Sequence, residues 1–329
     1  MNRRVVMTMA AAGWLACVQP QAFAEPKPAA GAPLAQPNPS DAALRDRLQR
    51  HTHDLAARIG ERNASHYGNL ELARAYVESE MRSAGYQPRL QSYQHEGRTF
   101  HNVEAVLAGA ADTPILVVGA HYDSAMGSPG GNDNASGVAV LLELARALAA
   151  KHVATPIHFV AFPNEEPPYF NTGAGMGSRE YAATFSRPRE QIRGMISVET
   201  VGYYSDEPGS QRYPPQVGPV YPDKGNFIGF IGNPLSSGFV HDVVARFRAA
   251  ASLASEVAVL PEEVPGVAWS DHRSFWDRGV PALMVTDTAT FRDPHYHRSS
   301  DRPERLDHHR MALLTRGLEA ALLGMAQGK

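Results

Sequence analysis

Short apolar runs separated by helical stretches restrict this chain to one kind of architecture. "RTFHNVEAVLAG", "PILVVGA", "PIHFVAF", "IRGMISVE", "FIGFIG", "SEVAVL" and "VPALMVT" have strand length and carry β-branched residues. Most are apolar without interruption, as expected of strands buried on both faces. Between and after them, "ASGVAVLLELARALAAKH", "SREYAATF", "LSSGFVHDVVARFRAAA" and "LDHHRMALLTRGLEAALLGMA" are predicted helices. Two more precede the first strand. One follows Ser40, read as an N-cap, with Leu44, Leu48 and Leu55 on one face; the other is "NLELARAYVESEMRSAG", with Gly85 as its C-cap. This alternation predicts an α/β fold with a mostly parallel, doubly covered mixed sheet. No internal repeat and no second Pro-rich linker divides the chain after residue 40, so residues 40–329 read as one domain.

The beginning of the chain follows another pattern. "MNRR" is basic, "VVMTMAAAGWLACV" is apolar, and "AFA" ends at Ala24 as a small-x-small cleavage site. Residues 1–24 are read as a secretory signal peptide, too short for a membrane span. Residues 25–39 are rich in Pro and Ala without apolar periodicity, and are read as a disordered linker. The expected location is therefore the periplasm or the exterior. A lipoprotein would use Cys17, but Trp14 stands where a small aliphatic residue is expected. Cys17 is the only cysteine, so the exported chain has no disulfide and no thiolate ligand. With 43% hydrophobic residues in 329, it can rely on its core. Loss of Arg3 and Arg4 with the signal moves the net charge from −3 to −5, and no basic excess remains to hold nucleic acid. No later run resembles a membrane span.

Polar residues collect where the predicted strands end. His121 and Asp123 follow "PILVVGA", and Glu165 and Glu166 follow "PIHFVAFPN". Glu199 closes "IRGMISVE", and Tyr296 and His297 come after "VPALMVTDTATFRDP". Asp133 lies in the glycine loop "GSPGGNDNASG", where Gly130 and Gly131 permit a tight bend. Each has an ordinary explanation alone: a surface histidine, a solvated acidic turn, a helix N-cap. Together they fall at the carboxyl ends of one sheet, where α/β proteins bind ligands. Imidazoles and carboxylates without thiolates suit zinc or a similar divalent ion. Two such ions about 3.5–4 Å apart would share a bridging carboxylate. His121 and Asp123, two residues apart, share a strand face, so Asp123 can orient the imidazole. The Pro-rich stretch from Val201 to Asn226 is a candidate wall or lid.

"HYDS…GNDNASG", "NEE", "ETVGYYS", "SDHRSFWDRGVPALMVTD" and "YHRSSDRPERLD", in that order, resemble the zinc-dependent peptidases of family 28, the secreted bacterial aminopeptidase type. The likeness runs from about residue 65 to the end. It implies a single-domain zinc aminopeptidase-like fold and two zinc ions per chain. His121, Asp133 and Glu199 would bind one ion; Asp133, Glu166 and His297 would bind the other. Glu165 would be the general base, Asp123 the orienting carboxylate and Tyr296 a donor to the oxyanion, with Asp271 near the ligands. The substrate would be a peptide with a free N-terminus. The chain departs from the family in two places: Glu199 stands where many members carry Asp, and Asn132-Asp133 replaces a pair of aspartates.

Two other functions compete. A single-zinc cyclotransferase acting on N-terminal glutamine shares the fold and much of the ligand set. A non-catalytic binding module would be expected to lose ligands, and here every position is filled. A serine hydrolase lacks its G-x-S-x-G elbow. Tyr203, Tyr204, Trp269 and Phe275 are candidates for an apolar side-chain pocket, with core packing expected for at least two. Side-chain preference and oligomeric state are not legible.

Overall fold

The computed structural model describes residues 39–328. The expected signal peptide lies outside the described residues, as does the linker apart from Pro39. Helix α1 spans Pro39–Thr52, so it starts one residue before Ser40. The chain continues as a π-helical turn, His53–Ile59, and then α2, Tyr67–Ser83. Strands β1, Arg89–His95, and β2, Arg98–Leu107, form a hairpin. β1 is an addition to the predicted set. Its turn, Glu96-Gly97, has positive φ at both residues (48° and 74°), as a two-residue hairpin requires.

The alternating part follows as β3, Ile115–His121; α3, Gly137–Leu148; β4, Ile157–Phe162; α4, Gly177–Ala183; α5, Pro188–Gln191; and β5, Ile192–Glu199. Then come β6, Ile228–Gly232; α6, Ser237–Ala250; β7, Ser255–Val259; α7, His272–Trp276; β8, Ala282–Thr286; and α8, His308–Ala326. The short α5 and α7 were not predicted. Among the described residues eight strands form one sheet in the order β1-β2-β4-β3-β5-β8-β6-β7. Parallel pairing joins β4-β3-β5-β8 and β6-β7; β1-β2, β2-β4 and β8-β6 are antiparallel. The sheet is thus mixed and mostly parallel, as the apolar runs predicted.

Helices cover both faces. On one, Leu48, Val77, Leu141, Phe247 and Leu318 pack on Val118, Ile196, Phe230 and Val285. On the other, Tyr181, Phe275 and Trp276 pack on Val117, Val160 and Met195. The centrality of α3 explains why its sequence is apolar nearly all round. Its one buried charge, Glu143, is paired with Arg47 (2.8 Å) and His51 (3.1 Å), which offsets the cost of removing it from water.

From β3 the chain crosses to β4 on one side, and then returns to β5 on the other. The loops leaving β3 and β5 therefore diverge and open a crevice at their carboxyl ends. His121 and Glu199 are the last residues of these two strands.

Candidate metal centre

Parallel register sets Gly119 beside Ser197, which brings the next residues on the same face, His121 and Glu199, together at the sheet's end. His121 Nε2 lies 3.1 Å from Glu199 Oε2 and 3.2 Å from Asp133 Oδ1. The second oxygen of Asp133 is 3.0 Å from His297 Nε2, which is 3.1 Å from Glu166 Oε2. Two trios, His121-Asp133-Glu199 and Asp133-Glu166-His297, can each converge on an ion, and they meet at Asp133. Glu165 Oε2 is 4.0 Å from His121 Nε2.

The loop that delivers Asp133 needs its two glycines for separate reasons. Gly130 has φ 61°, ψ 53°, the left-handed conformation that strains other residues. At Gly131 a Cβ would come within 2.7 Å of the Arg302 backbone.

Asp123 organises the other side. Its carboxylate accepts from the backbone N–H of Glu165 and Glu166, both 3.2 Å, and from His121 Nδ1 at 3.3 Å. With its proton on Nδ1, His121 turns the Nε2 lone pair towards the oxygens of Asp133 and Glu199. Acceptors then face acceptors. His121 Nε2, both Asp133 oxygens and Glu166 Oε1 are buried without a hydrogen-bond donor, an arrangement that a cation resolves.

Electrostatics gives the same answer. Burial and the neighbouring Asp133 push Glu166 up to about 8, against the pull of His297. Burial also raises Glu165 well above the carboxylate range; His121 opposes it, and Glu199 and Glu166 add to it. Burial would depress His297, but Asp133 and Glu166 outweigh it and push it up to about 10. So much negative charge in a buried space calls for positive charge. The nitrogen and oxygen donors fit zinc.

The two departures from the family pattern have structural explanations. Glu199 reaches His121 with its longer side chain, steadied by Ser270 Oγ (2.9 Å) and Asn134 Nδ2 (3.4 Å). Asn132 sits where an amide is required: Nδ2 donates to Asp287 (2.9 Å) and Asp293 (3.1 Å), while Oδ1 accepts from Gly202 N–H (2.9 Å). A carboxylate there could not donate. Asp271 is fully buried; burial pushes it up to about 7, and His121 is close enough to oppose the shift.

Several supporting residues were given no role by the sequence. Asp301 accepts from the backbone N–H of Asn132 (2.7 Å) and Asp133 (3.1 Å). Arg62 is wholly buried and donates to the carbonyls of Tyr122 (2.8 Å), Pro129 (2.6 Å) and Gly130 (2.9 Å), tying both ends of the loop. Arg62→Met strands these carbonyls, so we expect a loss of about 3 kcal/mol or more in urea unfolding.

An open cavity lies beside the cluster, with Glu199 and Tyr296 at its metal end. Tyr296 also stacks on His297, ring centroids 3.9 Å apart. Gln211, Tyr213, Pro214 and Tyr221 contribute to its lining, so the Pro-rich stretch is a wall. Of the four aromatic candidates only Trp269 lines the cavity. Phe275 is core, Tyr204 lies against Arg292 and Arg310, and Tyr203 packs on His295.

Fold and cluster together are those of a metal-dependent enzyme. The family model for Peptidase family M28 matches residues 102–321. The chain belongs to that family: it is a metallopeptidase, and zinc is the ion expected of it. It is 36% identical to the uncharacterized protein YfbL of Escherichia coli K12 over 86% of this chain and 89% of that one. It is 26% identical to leucine aminopeptidase 1 of Arthroderma gypseum over 66% of this chain, spanning 55% of that protein. Among solved structures, the zinc aminopeptidase BSAP from Bacillus subtilis aligns with TM-score 0.68 and 16% identity, covering 86% of this chain and 95% of BSAP. Tannerella forsythia glutaminyl cyclase aligns with TM-score 0.57 and 17% identity over 89% of this chain and all of that one. No helix among the described residues is long and apolar enough to cross a membrane.

Proposed function

We propose that the protein removes N-terminal residues from peptides at a site holding two zinc ions. His121, Asp133 and Glu199 would hold one, and Asp133, Glu166 and His297 the other. The observation that carries this reading is the shared Asp133, which presents one oxygen to each imidazole. Bound there, zinc supplies Lewis acidity and a water of lowered pKa.

The remaining chemistry belongs to the side chains. Glu165, buried beside the cluster, takes the proton of the attacking water and returns it to the departing amine. Asp123 holds His121 in one tautomer and fixes the backbone of Glu165 and Glu166. Tyr296 donates to the developing oxyanion from the cavity's edge. Glu165 and Glu199 receive the substrate's ammonium, which restricts attack to a terminal bond. The domain would be residues 40–329, exported by residues 1–24 and tethered by residues 25–39.

Aminoacyl p-nitroanilides with and without a chelator test the reading. Activity should vanish on chelation and return with zinc; turnover indifferent to chelation would reject it. The likeness to a glutaminyl cyclase favours a second reading, cyclisation of N-terminal glutamine with a single ion. One ion per chain together with ammonia release from glutaminyl peptides would establish that instead.

A further inference from the structure

Register across the sheet carries a further inference, which rests on the aminopeptidase reading. Glu199 on β5 pairs with Thr286 on β8, Thr286 with Gly229 on β6, and Gly229 with Glu256 on β7. Directly paired residues share a face, and all four line the cavity. One row thus runs from a metal-ligand candidate to a second carboxylate, with only a small residue and a glycine between them. The next row is Met284, Ile231 and Ala258, also on the cavity floor.

We propose that this trough is the side-chain site for a long, cationic N-terminal residue, arginine or lysine, with Glu256 receiving the charged end. Length, polarity and charge all bear on it. Three strand spacings separate Glu199 from Glu256, roughly 14 Å. An extended arginine reaches about 7 Å beyond its Cα, and the Cα itself must stand clear of the metal cluster. Glu256 bridges the remainder with its own side chain. A leucine would occupy only the near part.

The floor between the two ends is apolar, which suits a methylene stem. Among the described residues that line the cavity, charge occurs at Glu199 at the metal end, Glu256 and Arg212. Arg212 is exposed and donates to the Thr290 carbonyl at 3.2 Å. Tyr213 and Tyr221, also lining residues, feel the Glu256 carboxylate. Burial raises Tyr221, and Glu256 adds to it; in Tyr213 burial dominates, Arg292 opposes and Glu256 adds. Glu256 and both phenols line the same cavity.

The test compares arginyl-, lysyl- and leucyl-p-nitroanilide on the zinc-loaded full chain, for wild type, Glu256→Gln and Glu256→Ala. Wild type should favour the basic substrates. Both variants should lose roughly tenfold to a hundredfold in kcat/KM for arginyl and lysyl substrates, and change less than about twofold for leucyl. Calorimetric binding of argininamide, set against leucinamide, should weaken in parallel, without dependence on turnover. Unchanged zinc content shows that each variant is folded, and having two variants guards against failure of one. Leucyl turnover without basic turnover, or an equal loss on all three substrates, overturns the Glu256 assignment and leaves the aminopeptidase reading standing. Zinc-loaded wild type that turns over none of the three overturns both.

Discussion

Glu165→Gln should lower kcat by about three orders of magnitude or more while the zinc content stays at the wild-type value. The substitution keeps the shape and the backbone N–H bonded to Asp123, but removes the only proton acceptor of the pair Glu165-Glu166 that is not in a ligand trio. General-base catalysis contributes about 10²–10⁴-fold, and here the same carboxyl also returns the proton, so the loss falls towards the upper end. KM should rise severalfold at most, because one of the two carboxylates that receive the ammonium is lost while the cavity wall and the ligand trios are untouched. Metal analysis beside steady-state kinetics decides the matter. Near-normal kcat with two zincs would remove Glu165 from the mechanism, and a fall in zinc content would make it a ligand instead.

The contrast between the two glutamates shows what sequence order can and cannot reveal. His121, Glu199 and the acidic pair after β4 were legible because apolar runs fix strand ends, and strand ends of one sheet meet in space. Residues that reach the cluster from elsewhere were not. Arg62 lies between α1 and α2, in a stretch with no periodicity, and its partners are carbonyls, which carry no residue identity. Ser270 and Asp301 are common loop residues whose roles follow only once loops fold back. In "SDH" Asp271 was legible and is buried close enough to His121 and Glu199 to interact with both, but Ser270, whose hydroxyl donates to Glu199, was not. β1 escaped notice because it is an edge strand with Tyr93 as its only buried residue, so neither alternation nor continuous apolarity marks it. The cavity row was illegible for a deeper reason. It depends on β6 running antiparallel to β8, and strand order cannot be read from a list of strands.

Asp133 tests the two-ion arrangement directly. It is the one residue common to both trios, with an oxygen about hydrogen-bond distance from each imidazole: 3.2 Å to His121 and 3.0 Å to His297. Asp133→Asn preserves the volume and the backbone bond to Asp301, but replaces one anionic oxygen with an amide nitrogen that cannot ligate. Each trio then depends on a neutral imidazole and one carboxylate, and the repulsion between adjacent dications loses its bridging anion. Dialysed protein should hold fewer than one zinc per chain, and kcat/KM should fall by at least roughly 10³-fold, about 4 kcal/mol of transition-state stabilisation. Removing Glu166 by Glu166→Gln should instead leave the His121-Asp133-Glu199 trio intact, and with it one ion. That difference in stoichiometry separates a shared ligand from two independent sites: Asp133→Asn protein that still binds two zincs would show that the trios do not depend on a common carboxylate.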